Sequence, residues 1–514
     1  MAQIDFPPDD FTLNVTEWLR GEVYPGLLQE PFDDLAFAVW VGGINGFIGL
    51  WTTGFASHAA PRDRLQLCKH EIFLRIYNIK FPPPAPTPID GAMKGRLRYR
   101  VGGLWEDDRG PVAPLFCHYM QAFSDWLRDS NKVENQLNAI RDAGYHGIRF
   151  LDVLGYYDSA WQGREVTPIP FTSKAGRHIP ATPDFYGRKR AFLELVASKG
   201  LKVMDDRGDQ NAWSIDQKLT HMRKNGELYN DDFGKNILAG VWASNESWQN
   251  GVPTPDEAAG ILQAFGDNNG GWFPDTRGLS WGAVDWDAPG AGELPEDLIH
   301  WSRDPATVGT MHGNRVPNEH IIAHYLGYGY YDSSLRARGK RTWNTEPVGG
   351  GDGVTVGQEN RVSILCGIAW NSLITGQAWT HMSGNGAIGT GPIQDHPGFV
   401  EVPRLLQWLP RDIHTFDVLG HAGPRFQGSR ILAQQGTTQD RQRGDFAINS
   451  RDGRFCMTVY GDNQNIPFER AISNAIAIRP ETGETVPFRA NRGEPWSIPY
   501  DGQDQTVLVT GQLA

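Results

Sequence analysis

Gly240-Val241-Trp242-Ala243-Ser244-Asn245-Glu246 is an apolar run that ends in an amide and a carboxylate, and turn-forming residues follow it. Its length and composition are typical of a buried strand that delivers a carboxyl group to the rim of a sheet. A hundred residues later Arg341-Thr342-Trp343-Asn344-Thr345-Glu346-Pro347 repeats the pattern, and Gly349–Gly351 follow it. The two carboxylates can work together only if the rest of the chain places both strands in one sheet.

The chain around these two runs alternates between strand-like and helix-like patterns. Helical patterns include Val133–Ala143, closed by Gly144, and a helix predicted to start at Thr182-Pro183-Asp184 with proline at its first position. Eight strands within roughly 290 residues match a (β/α)8 TIM barrel. An open doubly wound sheet is the alternative, but no G-x-G-x-x-G follows the first strand. The strand-like runs are centred on Leu115, Ile148, Val203, Val241, Ala283, Val308, Trp343 and Trp379.

Two further segments flank the predicted barrel, so the fold class is α/β with a small N-terminal module and a C-terminal antiparallel β-sandwich. Residues 1–90 end in the proline-rich run Phe81–Pro88, which is typical of a linker. This first module is expected to serve attachment or binding, or to be a structural appendage. Residues 91–412 form the barrel. Residues 413–514 show alternating runs without helical periodicity, which favours the sandwich.

Composition narrows the classes of partner. The net charge of -12 argues against nucleic acid or an anionic membrane as the main partner. The 18 tryptophans indicate an aromatic-lined cleft as well as a core. The four cysteines are widely scattered, which predicts buried thiols rather than a metal site. The uncharged stretch Leu35–Ala60 is rich in glycine, which favours a hairpin over a membrane span.

In a TIM barrel the active site lies at the carboxyl ends of the strands. By count, Glu246 ends the fourth predicted strand and Glu346 ends the seventh. Most of the residues expected at this rim are polar, unlike the apolar residues that precede them. They are His118, Arg149, the group Asp205, Asp206 and Asp209, Asn245 with Glu246, Asp285 or Asp287, His312, Glu346, and Trp379 with His381.

An Asn-Glu pair after the fourth strand and a second glutamate after the seventh resemble the clan A glycoside hydrolases, and family 5 is the nearest likeness. The resemblance runs from about Gly95 to about Trp408 and includes an entry hairpin at Gly95–Gly110. Within it, Arg149 is similar to the clan's strand-2 arginine, His312 to its strand-6 histidine and Trp379 to its strand-8 tryptophan. Asn-Glu-Ser replaces the frequent Asn-Glu-Pro, and long inserts follow strands 2 and 8, so the substrate stays open.

The resemblance implies a retaining glycoside hydrolase that acts on a poly- or oligosaccharide without a cofactor or metal. Glu346 would be the nucleophile and Glu246 the acid/base. Asn245 would bind the sugar 2-hydroxyl, His312 would orient a carboxylate or hydroxyl, and Trp379 would lie under the reacting sugar. The remaining candidate substrate-binding residues are His118 and Trp248. Arg149 would keep the nucleophile ionised, and burial near Trp242 or Trp248 would help the acid to hold its proton.

Other interpretations remain open at this point. Asp205, Asp206 and Asp209 could hold a hard cation together with His118, as in a metal-assisted hydrolase, or form a solvated turn. The chain could also be a non-catalytic carbohydrate-binding or structural protein, such as a phage tail component. No secretion signal is visible. Polysaccharide enzymes usually act outside the cell, so we expect extracellular or virion-associated action with the first module as the attachment to a virion or cell surface; a cytoplasmic location is the alternative.

Overall fold

The computed structural model places the barrel and a C-terminal sheet. It describes residues 93–100, 104–158, 162–247, 250–284, 303–313, 335, 339–346, 362–374, 376–381, 393–411, 413, 446–449, 454–460, 472–490 and 506–513. The predicted N-terminal module, Cys68, Trp248, Asp285 and Asp287 all lie outside these residues.

Eight parallel strands form a closed barrel, as the sequence predicts. Each strand pairs with its neighbour in the chain, and the eighth pairs with the first, where Trp379 lies opposite Leu115. The barrel therefore brings all eight carboxyl ends to one rim. The strands are β1 (Leu115–His118), β2 (Gly147–Leu151), β3 (Lys202–Asp206), β4 (Leu238–Trp242), β5 (Arg277–Val284), β6 (Val308–Gly313), β7 (Arg341–Asn344) and β8 (Ala378–His381).

Helices lie between most of these strands, and local sequence signals explain where they begin. Asp129 caps α2 by accepting from Lys132 N, and Gly144 ends it with a left-handed φ of 101°. Thr254 caps α6, which has Pro255 in its first turn. The helices are α1 (Ala122–Trp126), α2 (Ser130–Ala143), α3 (Phe185–Ser198), α4 (Ile215–Leu228), α5 (Asp232–Ile237), α6 (Pro255–Asp267), α7 (Val362–Ile374) and α8 (Glu401–Arg404).

The start predicted for α3 is wrong by a few residues. The helix begins at Phe185, and Asp184 precedes it with a φ of 47°. The left-handed backbone at Asp184 does not belong to a helix, so Pro183 lies before the first turn rather than in it. Asparagine and aspartate tolerate this conformation better than other residues with side chains.

Aromatic residues fill the barrel interior. Trp343 is fully buried, and its ring meets those of Trp105, Phe116 and Trp242 at centroid distances of 6.0, 5.1 and 5.6 Å. All three contacts are edge-on, with interplanar angles of 74–85°. Such pairs contribute about 0.5–1.5 kcal/mol each beyond the area they bury. Part of the high tryptophan content therefore serves packing.

A three-stranded antiparallel sheet (Arg98–Arg100, Leu104–Asp107, Gly110–Pro111) precedes the barrel and confirms the predicted entry hairpin. Its Trp105 packs on Trp343 and donates through Nε1 to Thr276 Oγ1 at 3.3 Å. Thr276 lies just before β5, so the sheet covers the amino ends of the strands. The opposite rim is left for the site.

The C-terminal segment forms an antiparallel sheet, as its alternating sequence pattern predicts. Its strands lie in the order β9-β10-β13-β11-β12. Helix α7 of the barrel packs against β10 and β13. The bounds are β9 (Phe446–Asn449), β10 (Arg454–Tyr460), β11 (Ile472–Arg479), β12 (Glu484–Ala490) and β13 (Thr506–Leu513).

One smaller prediction can be compared with the described residues, whereas the stretch Leu35–Ala60 lies outside them. Cys117, Cys366 and Cys456 are buried thiols outside any disulfide, as predicted from their scattered positions. None of the helices in the described part of the chain is long and apolar enough to cross a membrane.

Candidate active site

A fully buried arginine on β2 connects the ends of three other strands. Arg149 donates through Nε and Nη2 to Asp206 Oδ2, at 3.1 and 2.7 Å, and through Nη1 to Glu346 Oε1, at 2.7 Å. Its Nη2 also donates to Asn245 Oδ1. Burial alone would lower the pKa of Arg149, but the charges of Asp206 and Glu346 outweigh it and raise that pKa. The site therefore contains a permanent cation that binds two carboxylates.

Glu346 lies two residues beyond the last residue of β7 and is almost completely buried, with 4% of its surface exposed. One carboxylate oxygen accepts from Arg149, and the other lies 3.4 Å from His312 Nδ1. An adjacent cation stabilises the charged form of a buried carboxylate. This environment suits a carboxylate that must stay ionised.

Glu246 follows β4 on a short, tightly bonded segment, four residues beyond the last residue of that strand. Asn245 N donates to Arg207 O at 2.6 Å, and Glu246 N donates to Ser280 Oγ at 3.3 Å. Asn250 holds the segment from the other side, since its Nδ2 donates to Asn245 O at 2.6 Å. Glu246 itself adopts a left-handed φ of 40°, which is uncommon outside glycine. These contacts determine where its carboxyl group points.

His312 on β6 lies between the two glutamates. Its Nδ1 is 3.0 Å from Glu246 Oε1, and its Nε2 is 3.0 Å from Thr345 Oγ1. The Thr345 hydroxyl can donate to Nε2, which leaves Nδ1–H to face the carboxylates. The ring therefore has a defined orientation toward Glu246.

The two glutamates and the histidine form one compact group. One ligand-type atom from each of Glu246, His312 and Glu346 lies within 4.8 Å of the other two. A carboxyl separation of about 5 Å is the spacing of retaining glycosidases, whereas inverting enzymes need about 6.5–9.5 Å. The same three residues are the group in the described ranges that could also ligate a metal ion.

His118, at the end of β1, joins the cluster through Arg149. It is 2% exposed, and its Nδ1 lies 3.2 Å from Arg149 Nη1. Because a guanidinium only donates, Nδ1 is the acceptor, and the neutral ring carries its proton on Nε2. His118 is thus connected to the two carboxylates through Arg149, and it lies beside them rather than between them.

Trp379 does not join the cluster, contrary to the role implied by its resemblance. Its neighbours in β8 face the barrel interior: Ala378 belongs to the core around Trp343, and Thr380 Oγ1 accepts from Trp343 Nε1 at 3.0 Å. Side chains alternate along a strand, so Trp379, which is 1% exposed, points toward the helical layer. It is not placed to lie under a bound sugar.

Asp205, Asp206 and Asp209 do not converge on a cation site. Asp205 pairs with Lys189 and Asp206 with Arg149, each at 2.7 Å. Asp209 Oδ2 instead accepts from the backbone N–H groups of Gly155 and Tyr156, at 2.8 and 2.9 Å. Each carboxylate is thus bound to a different partner. This arrangement removes the basis for the metal-assisted alternative.

Thr345 and Ser280 were not recognised from the sequence. Asp206 was considered as a ligand of a cation, whereas it binds Arg149. Thr345 immediately precedes Glu346, and an alternating inward pattern along β7 could have indicated it. Ser280 lies inside β5 with no signal that separates it from other strand residues. Asp206 appeared as part of an acidic run, whereas the structure makes it the main acceptor of Arg149.

Comparison with known proteins supports the fold. No family model and no curated protein matches the sequence. A glycoside hydrolase family 5 protein from Bacteroides vulgatus matches with a TM-score of 0.52 and 13% identity, over 84% of this chain and 95% of that one. A second glycoside hydrolase structure from the same organism matches with a TM-score of 0.50 and 12% identity, over 83% of each chain. A family 30 endoxylanase from Clostridium papyrosolvens reaches a TM-score of only 0.38, at 12% identity. The likeness to a family 5 fold is therefore confirmed.

Proposed function

We propose that the protein is a retaining glycoside hydrolase that cleaves an O-glycosidic bond in a poly- or oligosaccharide. The observation that carries the proposal is the compact group of Glu246, His312 and Glu346, whose atoms lie within 4.8 Å of one another. Two carboxyl groups at this spacing suit double displacement, because an inverting enzyme needs a wider separation of about 6.5–9.5 Å to place its attacking water. The fold shared with glycoside hydrolases supports the same assignment by analogy.

In the first step Glu346 attacks the anomeric carbon. A bond forms between a Glu346 oxygen and that carbon while the bond to the leaving oxygen breaks, and Glu246 gives its proton to the leaving oxygen. Arg149 neutralises part of the Glu346 charge before attack and keeps the carboxylate ionised. Asn245 accepts from Arg149 through Oδ1 and would bind the sugar 2-hydroxyl through its amide nitrogen.

In the second step water completes the reaction. Glu246, now a carboxylate, takes a proton from water as the water oxygen attacks the anomeric carbon. The ester bond to Glu346 breaks, and both glutamates return to their starting states. His312 orients Glu246 through both steps, because its ring is held by Thr345.

A panel of poly- and oligosaccharides, with products separated and identified, would test the activity and define the substrate. Proton NMR of the first product then tests the mechanism, since double displacement retains the anomeric configuration. A product of inverted configuration would refute the assigned roles. Lack of hydrolysis across the panel, with binding to one of the glycans, would favour a non-catalytic carbohydrate-binding protein.

A further inference from the structure

We infer that Lys189 is a positioning residue that acts from behind the barrel wall, through Asp205, to hold Arg149 in place. The inference rests on the proposed function, because Arg149 matters to catalysis through Glu346. Lys189 lies on α3 and has no exposed side-chain surface. It contacts neither glutamate in the described residues.

The ammonium group of Lys189 is fully occupied. It donates to Asp152 Oδ2 at 2.8 Å, to Asp205 Oδ2 at 2.7 Å and to Asn225 Oδ1 at 2.6 Å. An ammonium has three donors, and all three have buried acceptors. The position of the lysine is therefore fixed relative to β3 and to the segment that follows β2.

A second cation balances the charges around it. Arg207 Nε lies 3.2 Å from Asp152 Oδ1, and its Nη2 lies 2.5 Å from Asp205 Oδ1. Burial would raise the pKa of Asp152, but the charges of Arg207 and Lys189 outweigh it and lower that pKa. Two buried cations thus face two buried carboxylates. Removal of one cation leaves an uncompensated charge away from water.

Neutral groups complete this buried charge cluster. His221 Nε2 lies 3.0 Å from Asp152 Oδ2, and burial lowers the pKa of His221, with Asp152 opposing the shift, so the ring is neutral near pH 7. The hydroxyl of Tyr229 donates to Asp205 Oδ2 at 2.9 Å. Neither group can replace the charge of Lys189.

Three consecutive residues transmit the position of this cluster to the site. Asp205 and Asp206 are adjacent in β3 and face opposite sides of the barrel wall, so Asp205 meets Lys189 while Asp206 meets Arg149. The next residue, Arg207, accepts from Asn245 N through its carbonyl at 2.6 Å. A displacement of Asp205 therefore moves both the acceptor of Arg149 and the backbone that fixes Asn245.

Lys189→Met tests the inference, with Lys202→Met as the matched control. Lys202 is also buried on the barrel wall, at the amino end of β3, where it donates to Asn236 O at 2.7 Å. We expect Lys189→Met to lower kcat by roughly ten- to a hundredfold, the cost of a small misplacement of reacting groups, with a smaller change in KM. The acid limb of the pH–rate profile should move to higher pH as Arg149 loosens from Glu346. Lys189→Arg should restore part of kcat, and Lys202→Met should keep kcat and the acid limb.

The activity of each variant is divided by its concentration of folded protein. Urea unfolding of the same variant gives the folded fraction. If Lys189→Met does not fold, the charge-balanced pair Lys189→Met with Asp205→Asn takes its place. The same loss of kcat and shift of the acid limb are expected there, because the link between Lys189 and Asp205 is still removed.

A titration separates this inference from the proposed function. The carboxyl of Glu346 is followed by ¹³C NMR in protein labelled on glutamate, and Glu346→Gln assigns the signal. Its titration should move to higher pH in Lys189→Met and stay in place in Lys202→Met, whether or not any glycan is cleaved. If the two lysine variants behave alike in kcat, pH profile and Glu346 titration, Lys189 has only a structural role and the inference is wrong.

Discussion

The Nδ1 atom of His312 lies 3.0 Å from Oε1 of Glu246, although the two residues come from different strands of the barrel. Thr345 holds the imidazole on its other side, at 3.0 Å from Nε2. With both nitrogens engaged, the ring cannot rotate without losing a hydrogen bond. The orientation of the proposed acid/base is thus controlled from the strand that carries its partner glutamate.

Thr345→Val should lower kcat by roughly tenfold, which corresponds to the loss of about one well-placed buried hydrogen bond. Valine keeps the shape of threonine but cannot bind Nε2, so His312 can turn away from Glu246. Steady-state kinetics on the identified glycan measure the effect. Thr345→Ser keeps the hydroxyl and should retain most of the activity. Equal losses in the two variants would show that packing, rather than the hydrogen bond, is what matters.

The two glutamates should respond differently to azide. In Glu246→Ala, kcat on substrates with a poor leaving group should fall by roughly 10²- to 10⁴-fold. On an activated substrate, whose leaving group departs without a proton, Glu346 still forms the ester; azide should then attack the anomeric carbon, break the ester bond to Glu346 and release a glycosyl azide of retained configuration. In Glu346→Ala, azide attacks directly and should give the inverted product. Glu194→Ala, an exposed position on α3, serves as control. Retained product from both glutamate variants would contradict the assigned roles.

Asp209 should make the protein less stable as the pH rises through the mildly acidic range. Burial raises the pKa of Asp209 from 3.8 to about 6, although the N–H groups of Gly155, Tyr156 and Tyr157 oppose the shift. Between these values the folded state binds more protons than the unfolded state, so the unfolding free energy decreases as pH increases. At up to about 1.4 kcal/mol for each pH unit, the decrease is about 2 kcal/mol between pH 4 and pH 7.

Asp209→Asn should remove this decrease, because asparagine does not titrate. Urea unfolding at pH 4, 5, 6 and 7 measures the difference between the variant and the parent protein. Asp142→Asn, at a position exposed on α2, should follow the parent at every pH. Parallel curves for Asp209→Asn and the parent would refute the raised pKa.

Gly278→Ala should destabilise the barrel core. A Cβ at this position would lie 2.0 Å from Trp242 Nε1, which donates to Thr310 Oγ1 at 2.9 Å. Trp242 would have to move and lose that bond, at a cost of about 1–3 kcal/mol or more. Gly260→Ala on α6 is the control, since its Cβ meets no atom within 4 Å. Gly260→Ala should stabilise the helix by up to about 1 kcal/mol. The denaturant midpoints of the two variants, compared with that of the parent protein, measure both effects.

The barrel could be predicted from the sequence because each strand leaves its own local pattern. The strand centred on Val203 lies between two helical patterns, and the structure places it at Lys202–Asp206. The Asn245-Glu246 pair and Glu346 were found in the same way, as polar residues directly after apolar runs. Both lie slightly beyond the strands, which end at Trp242 and Asn344. The position of these residues at the rim could therefore be predicted from the order of the strands along the chain.

The direction of a side chain could not be predicted in the same way. Asp205 and Asp206 are neighbours in sequence, which made them look like one acidic cluster, yet they face opposite sides of β3. Trp379 lies on the expected strand, but its side chain points toward the helical layer rather than into the barrel. Which face points inward depends on the register of the closed barrel, and on irregularities such as the shift between β3 and β4. Those are properties of the whole sheet.

Glu246→Gly should be more stable than Glu246→Ala by roughly 1 kcal/mol, since only glycine adopts a left-handed backbone without a steric cost. Both variants lack the carboxyl group and its contact with His312, so their difference isolates the backbone with its φ of 40°. Chemical denaturation of the two proteins gives the value. Equal stability would mean that the backbone at this position carries no strain.

This strained backbone has a consequence for protein engineering. On the proposed mechanism, position 246 must carry a glutamate even though its φ of 40° suits glycine better. Turnover and thermostability therefore compete at a single residue. A laboratory evolution experiment that selects for heat resistance alone would enrich inactive chains changed at Glu246, and only a simultaneous screen for glycan cleavage would keep the glutamate.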